Sequence, residues 1–155
     1  MPEAKTLERA KKDEAEGKSP STQAGEFVRE EVEHIREGKH GARSTKQAIA
    51  IGLSKARRAG VKLGAPGQGT SRATRRKAAS DTRKGRSGQP SRPSARRSRA
   101  TEDALKREGR SAGSRKALSR QARSAAAKRG AASRSASARA AARTRTARRG
   151  RSRRR

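Results

Sequence analysis

The chain has 155 residues, of which 44 are Lys or Arg and 14 are Asp or Glu, for a net charge of +30. Only twelve residues are Leu, Ile, Val or Phe, and Phe27 is the one aromatic, so no large enzyme-like interior can be built. The absence of cysteine excludes disulfides and thiolate metal sites and fits a reducing compartment.

Charge divides the chain. Residues 1–40 carry 10 acidic and 8 basic side chains, whereas residues 41–155 carry 4 acidic and 36 basic. From Gly109 to Arg155 there are 17 basic residues and no acidic one. High net charge with few large apolar residues is the composition of disorder, because burial cannot offset the entropy of ordering. The expected fold class is therefore mainly α with extensive disorder: a small helical hairpin, at about 20–38 and 45–59, followed by a long disordered Arg/Ala/Ser-rich tail. No apolar run approaches a membrane span and the N-terminus has no signal-like apolar region, so the expectation is a soluble, cytoplasmic protein.

Residues 1–17 read as a solvated helix or arm, since Leu7 is their only large apolar residue beyond Met1. Residues 18–64 read as the hairpin. Its first helix has Ser19 as cap, Pro20 at the first helical position and Gly38 as stop. At 100° per residue, Ala24, Phe27, Val28, Val32 and Ile35 form one stripe, and Glu26, Glu30, Glu33 and Glu37 form an opposite face expected to be solvated. The second helix is "STKQAIAIGLSKARRAG". The alternation of Ile49, Ile51 and Leu53 suggests a strand, but Ser44 and Gln47 make a capping-box pair, Gly60 suits a C-cap, and cations crowd the last turn. Helix is the better reading, with Ile49, Leu53 and Ala56 facing the first helix and Ile51 pointing away. So small a hairpin invites self-association or a bound partner.

Residues 65–100 read as a disordered basic linker of Gly, Pro, Ser and Arg. Residues 101–155 read as a basic tail, with helices expected at 102–108 and, capped by Ser114, at 115–129.

No motif carries catalysis. Gly64–Ser71 nearly matches a phosphate-binding loop, but Thr70 stands where the lysine belongs and no strand–helix context surrounds it. His34 and His40 are the only histidines; with no cysteine to join them they read as two solvent-facing side chains, so neither a metal nor a cofactor is expected. Carboxylates working as acid and base need a pocket that shifts their pKa, and none can be argued from this composition.

The basic residues are the strong signal. Arginine, 31 of the 44, chelates phosphate oxygens through a planar fork and stays charged. The expected phosphate-binding set is Lys55, Arg57, Arg58, Arg75, Arg76, Lys77, Arg96, Arg97, Arg115, Lys116, Arg120, Arg123, Lys128, Arg129, Arg148, Arg149, Arg151, Arg153, Arg154 and Arg155. The expected partner is DNA, bound without sequence preference, with RNA open because arginine-rich segments bind it without aromatic platforms. A helix–turn–helix fits poorly, given a seven-residue connection and no third helix. The remaining alternative is a protein-interaction adaptor whose tail tethers it to nucleic acid.

The stretch "ARSTKQAIAIGLSKARRAGVKLG", with "GEFVREEVEHIREGKHGARS" before it, resembles the signature of a bacterial family of small basic proteins of uncharacterised function, whose members carry variants of K-Q-A-I-A-I-[AG]-L-S. The resemblance spans about residues 20–64, implies a bacterial source and transfers no activity. The Ala/Lys/Arg/Ser tail is similar in composition to the tails of linker histones and bacterial histone-like proteins, which places the expected function at the nucleoid.

Overall fold

The computed structural model describes residues 2–67, 69–87 and 94–152. Among these are seven helices, α1 (Ala4–Ala15), α2 (Pro20–Glu37), α3 (Thr45–Arg58), α4 (Arg72–Arg86), α5 (Ala95–Lys106), α6 (Arg115–Ala127) and α7 (Ala131–Ser152), with a 3-10 turn at Ser111–Gly113. The chain divides into two compact units after Leu118.

This overturns the expectation of a disordered basic half. Two serines of the expected linker, Ser71 and Ser94, are helix caps, and Ser114 caps α6 as expected. Ser71 accepts from the Thr74 amide (3.2 Å), Ser94 from Arg97 (3.3 Å) and Ser114 from Ala117 (3.2 Å). Behind each cap run Ala, Arg, Lys and Leu, all strong helix formers, so the segments counted as low complexity have high helix propensity. Two helices of the expected linker and tail thus begin at Arg72 and Ala95, and α7 extends through Ser152. Part of the expected linker, 88–93, lies outside the described residues.

In the first unit α2 and α3 form an antiparallel pair joined by a reversal at Gly38, whose φ of 79° is the left-handed value that glycine adopts without strain. The Lys39 amide closes this cap on the His34 carbonyl at 3.0 Å. Ser44 accepts from the Gln47 amide (3.2 Å), while the Gln47 side chain accepts from the Arg43 amide (2.9 Å). The caps read in the sequence are therefore made, with Gln47 reaching one residue further back.

The contact face of α3 includes the expected Ala56, with Leu53 packed against the core, but it is centred on small residues. Thr45, Ala48, Gly52 and Ala56 are its buried residues, and Ile49, Ile51 and Leu53 are half-buried on its flanks. A stripe of small residues lets the helix backbones approach closely. A Cβ added at Gly52 would lie 2.7 Å from Val28 Cα. Gly52→Val is expected to force α2 and α3 apart and cost about 3 kcal/mol, read as a lower urea midpoint at unchanged slope.

Two alanine-rich clusters make the core. Ala10, Ala24, Phe27 and Ala56 join α1, α2 and α3, with Leu7, Leu53, Val61 and Leu63 packed against them. The first helix is thus docked through Leu7 and Ala10 rather than left in solvent. Ile35, Ala42, Ala48 and Ala112 form the second cluster. Ala112 belongs to the segment after α5; this segment and the end of α5 are held to the hairpin by hydrogen bonds from Thr45 Oγ1 to the Ala112 carbonyl (2.8 Å), from Arg36 Nε to the Gly113 carbonyl (2.8 Å) and from the Gly41 amide to the Leu105 carbonyl (2.8 Å). α4 packs on α3 through Ala78 and Asp81, and Gly85 lies so near the Arg57 carbonyl that a Cβ there would be 2.1 Å from its oxygen. The faces of the hairpin left open by the sequence reading are therefore covered by α1, α4 and residues 105–113.

The second unit contains α7, which has no buried residue from Ala131 to Arg143. Its helix rests on the intrinsic propensity of Ala and Arg rather than on packing. No helix among the described residues is long and apolar enough to cross a membrane.

Candidate functional sites

The expected phosphate-binding residues fall into three groups. Arg75, Arg76, Arg96, Arg97, Arg115, Lys116, Arg120, Arg123, Lys128 and Arg129 are exposed. Arg148, Arg149 and Arg151 lie within α7, and Arg153, Arg154 and Arg155 lie outside the described residues.

The third group is engaged by acids or backbone. Lys55 is the clear correction: its side chain is only 15% exposed and its Nζ lies 2.8 Å from both Glu30 Oε1 and Glu31 Oε2. It faces the hairpin interior and offers nothing to a phosphate. Lys77 binds Asp81 at 2.6 Å, and Arg58 lies 3.8 Å from the same carboxylate. Arg57 donates to the Gly64 carbonyl at 3.2 Å. Asp81 is 1% exposed and also accepts from Ser54 Oγ at 2.6 Å, which ties α4 to α3. Burial pushes the Asp81 carboxyl up, but hydrogen bonds from Lys77 and Ser54 with the nearby cations outweigh it and hold the group below its ordinary range.

What the sequence reading missed on α4 is a face. At 100° per residue, Arg72, Arg75, Arg76, Arg83 and Arg86 fall within an arc of about 100° on a helix about 22 Å long. All five are exposed, whereas Ala78 and Asp81 occupy the side turned to α3. The signal was the 3-1-7-3 spacing of these arginines, which a coil reading of residues 65–100 discarded. On α7, Arg134, Arg139, Arg143 and Arg145 are exposed.

A second constellation sits at the C-terminal end of α2. Glu30 and Glu31, expected to be near the solvated face, are 3% and 1% exposed, because α1 and α3 cover that side of the helix. Glu30 Oε2 accepts from the Glu3 amide at 3.0 Å as well as binding Lys55 through Oε1. Burial raises the Glu30 carboxyl, while hydrogen bonds from Lys55, Thr6 and the Glu3 amide lower it further, for a net downward shift. Burial likewise lowers the Lys55 ammonium, and the two glutamates more than restore it.

The histidines are not solvent-facing. His34 and His40 side chains are 14% and 15% exposed, with ring centroids 5.9 Å apart in an edge-to-face arrangement. His34 Nε2 lies 2.7 Å from Glu3 Oε1, and His40 Nε2 lies 3.3 Å from Glu31 Oε1. One potential ligand atom from each of Glu31, His34 and His40 falls within 4.8 Å of the others. Glu31 and His34 are one helical turn apart, and the Gly38 reversal returns His40 to them. Their grouping was hidden because all three read as solvent-facing in the sequence.

Near the expected linker, residues 61–67 form no regular element and lead toward the Ser71 cap of α4. No strand precedes Gly64 among the described residues, so the near-match to a phosphate-binding loop lacks its context.

Residues 15–66, about a third of the chain, match the model of a family of unknown function, DUF6496. The match covers the end of α1, all of α2 and α3, and the return through Leu63. It therefore includes both buried glutamates, Lys55 and both histidines. No curated protein and no solved structure matches the chain.

Proposed function

We propose that this protein is a non-sequence-specific DNA-binding, histone-like protein of the nucleoid. It neutralises phosphates through arginine-bearing helices, with the α1–α4 assembly as their scaffold. The observation that carries this reading is the exposed five-arginine face of α4, on a chain whose last 47 residues hold 17 cations and no acid. Arginines fixed on a helix lose less freedom on binding than those of a coil, and each phosphate contact releases condensed counterions. Lys55 takes no part, since it is committed to Glu30 and Glu31.

Gel-shift titrations with duplex DNA, single strands and structured RNA at two salt concentrations test the proposal. Contact with ten phosphates gives a slope of log K against log salt near about −9 on duplex DNA. Equal affinity for unrelated duplexes is expected. Weak binding to every nucleic acid at about 150 mM salt would overturn the proposal, and a clear preference for structured RNA would move the function to RNA.

A further inference from the structure

We infer that Glu31, His34 and His40 form a binding site for a divalent transition-metal ion of the zinc class, which fastens the turn between α2 and α3. The argument begins with His40. Its Nδ1 lies 3.0 Å from the Gly41 carbonyl, which can only accept, so Nδ1 carries a proton. In the neutral ring the remaining nitrogen, Nε2, then presents a lone pair, and it points at Glu31 Oε1 from 3.3 Å. In that tautomer the ring nitrogen and the oxygen of a carboxylate that is 1% exposed present lone pairs to the same space, where one cation can bind to both.

Charge counting leads to the same place. Glu30 and Glu31 are both buried and share the single ammonium of Lys55. That leaves one negative charge uncompensated within the trio, on the side of Glu31 that meets His40. Lys55 pairs with Oε2, which still lacks a hydrogen-bond partner, and Oε1 is the oxygen that faces His40 Nε2. The surroundings have the form of a metal's outer shell: a backbone carbonyl orients the His40 ring and an ammonium orients the Glu31 carboxylate. Glu3 does the same for His34 through its 2.7 Å contact with Nε2.

Two imidazoles and one carboxylate are a donor set for zinc rather than for magnesium or calcium, which prefer oxygen alone. The present 4.8 Å span is wider than a closed coordination sphere, and modest rotation of the two rings closes it. The fourth position is left to water. Small domains with little core are commonly stapled by metal, and this one has a core made chiefly of alanine.

The test uses the full chain without an affinity tag, stripped with chelator, and Zn2+ as the probe. Calorimetric titration is expected to give one site per chain, and Co2+ in place of Zn2+ should produce the visible absorption of a low-coordinate site. Zn2+ should also raise the thermal midpoint, because it binds the folded state. His40→Gln and His34→Gln are each expected to weaken binding at least about tenfold, with helicity by circular dichroism unchanged. Mg2+ should not compete. Zn2+ binding that persists unweakened in the folded His34→Gln/His40→Gln double variant, or no saturable site in the parent chain, would overturn the inference. Should the double variant fail to fold, Glu31→Gln decides instead: it retains the shape and the contact to Lys55 but loses the anionic ligand, and undiminished affinity there would likewise overturn it.

Discussion

Replacing Lys55 with methionine is expected to remove most of the stability of the α1–α4 assembly. The substitution keeps the length of the side chain and leaves Glu30 and Glu31, at 3% and 1% exposure, without their shared ammonium. Breaking a buried ion pair from one side costs about 3–5 kcal/mol, a large fraction of the roughly 5–15 kcal/mol by which a domain is stable. The pH dependence gives the mechanism a signature. In the parent chain the Glu30 carboxyl is held below its ordinary value of 4.5, so its contribution is present above that pH and is lost as pH falls through the lower folded value. In the variant, burial without a counter-cation raises the Glu30 carboxyl instead, and stability is lost as pH rises through the raised value. Parent and variant should therefore converge on acidification from pH 7 toward 4.5, read by chemical denaturation at several pH values. A triple variant, Glu30→Gln, Glu31→Gln and Lys55→Met, should recover much of the loss, because neutral groups carry no unpaired charge. A parallel pH dependence in Lys55→Met and the parent would remove the carboxylates from the explanation.

The same trio shows where sequence reading succeeds and where it stops. Ser19, Pro20, Gly38 and Ser44 were legible because capping is local: each acts on a backbone group within a few residues. Burial of Glu30 and Glu31 was not legible, since it depends on α1 and α3 arriving from elsewhere in the chain to cover what α2 alone presents as a polar face. The partner of these acids, Lys55, looked like one more cation in an arginine-rich run. Its distinction lies only in its position on α3, opposite the two glutamates. Gly52 was obscured by size, because large aliphatics draw attention while close helix packing is made by the small residues between them. In the basic half, composition was weighed above position: serines among Gly, Pro and Arg are linker by count, but Ser71 and Ser94 are caps by geometry, as Ser114 was legible to be. The histidine grouping failed for a combined reason, needing both the glycine reversal at Gly38 and the buried state of Glu31.

Deleting residues 131–155 is the sharpest test of how DNA binding is distributed. The deletion removes ten arginines and no acid, lowering the net charge from +30 to +20. Because α7 buries nothing from Ala131 to Arg143, the thermal midpoint of the α1–α4 assembly should barely change. If five of the ten arginines contact phosphate, the salt slope on duplex DNA should shrink by about 4.5, and affinity near 150 mM salt should fall about a thousandfold. The complementary variant replaces Arg72, Arg75, Arg76, Arg83 and Arg86 with glutamine, removing five charges while retaining good helix formers on the exposed side of α4. A purely charge-counting mechanism predicts that five cations lost from α4 and five lost from α7 weaken binding equally. If the helical face of α4 is the principal contact, its glutamine variant should lose more affinity per charge than the deletion, because those arginines are held in one arc and engage one groove edge together. A glutamine variant that binds as the parent does, with α4 still helical, would confine the binding to the C-terminal arginines and leave the α4 face without a role in it.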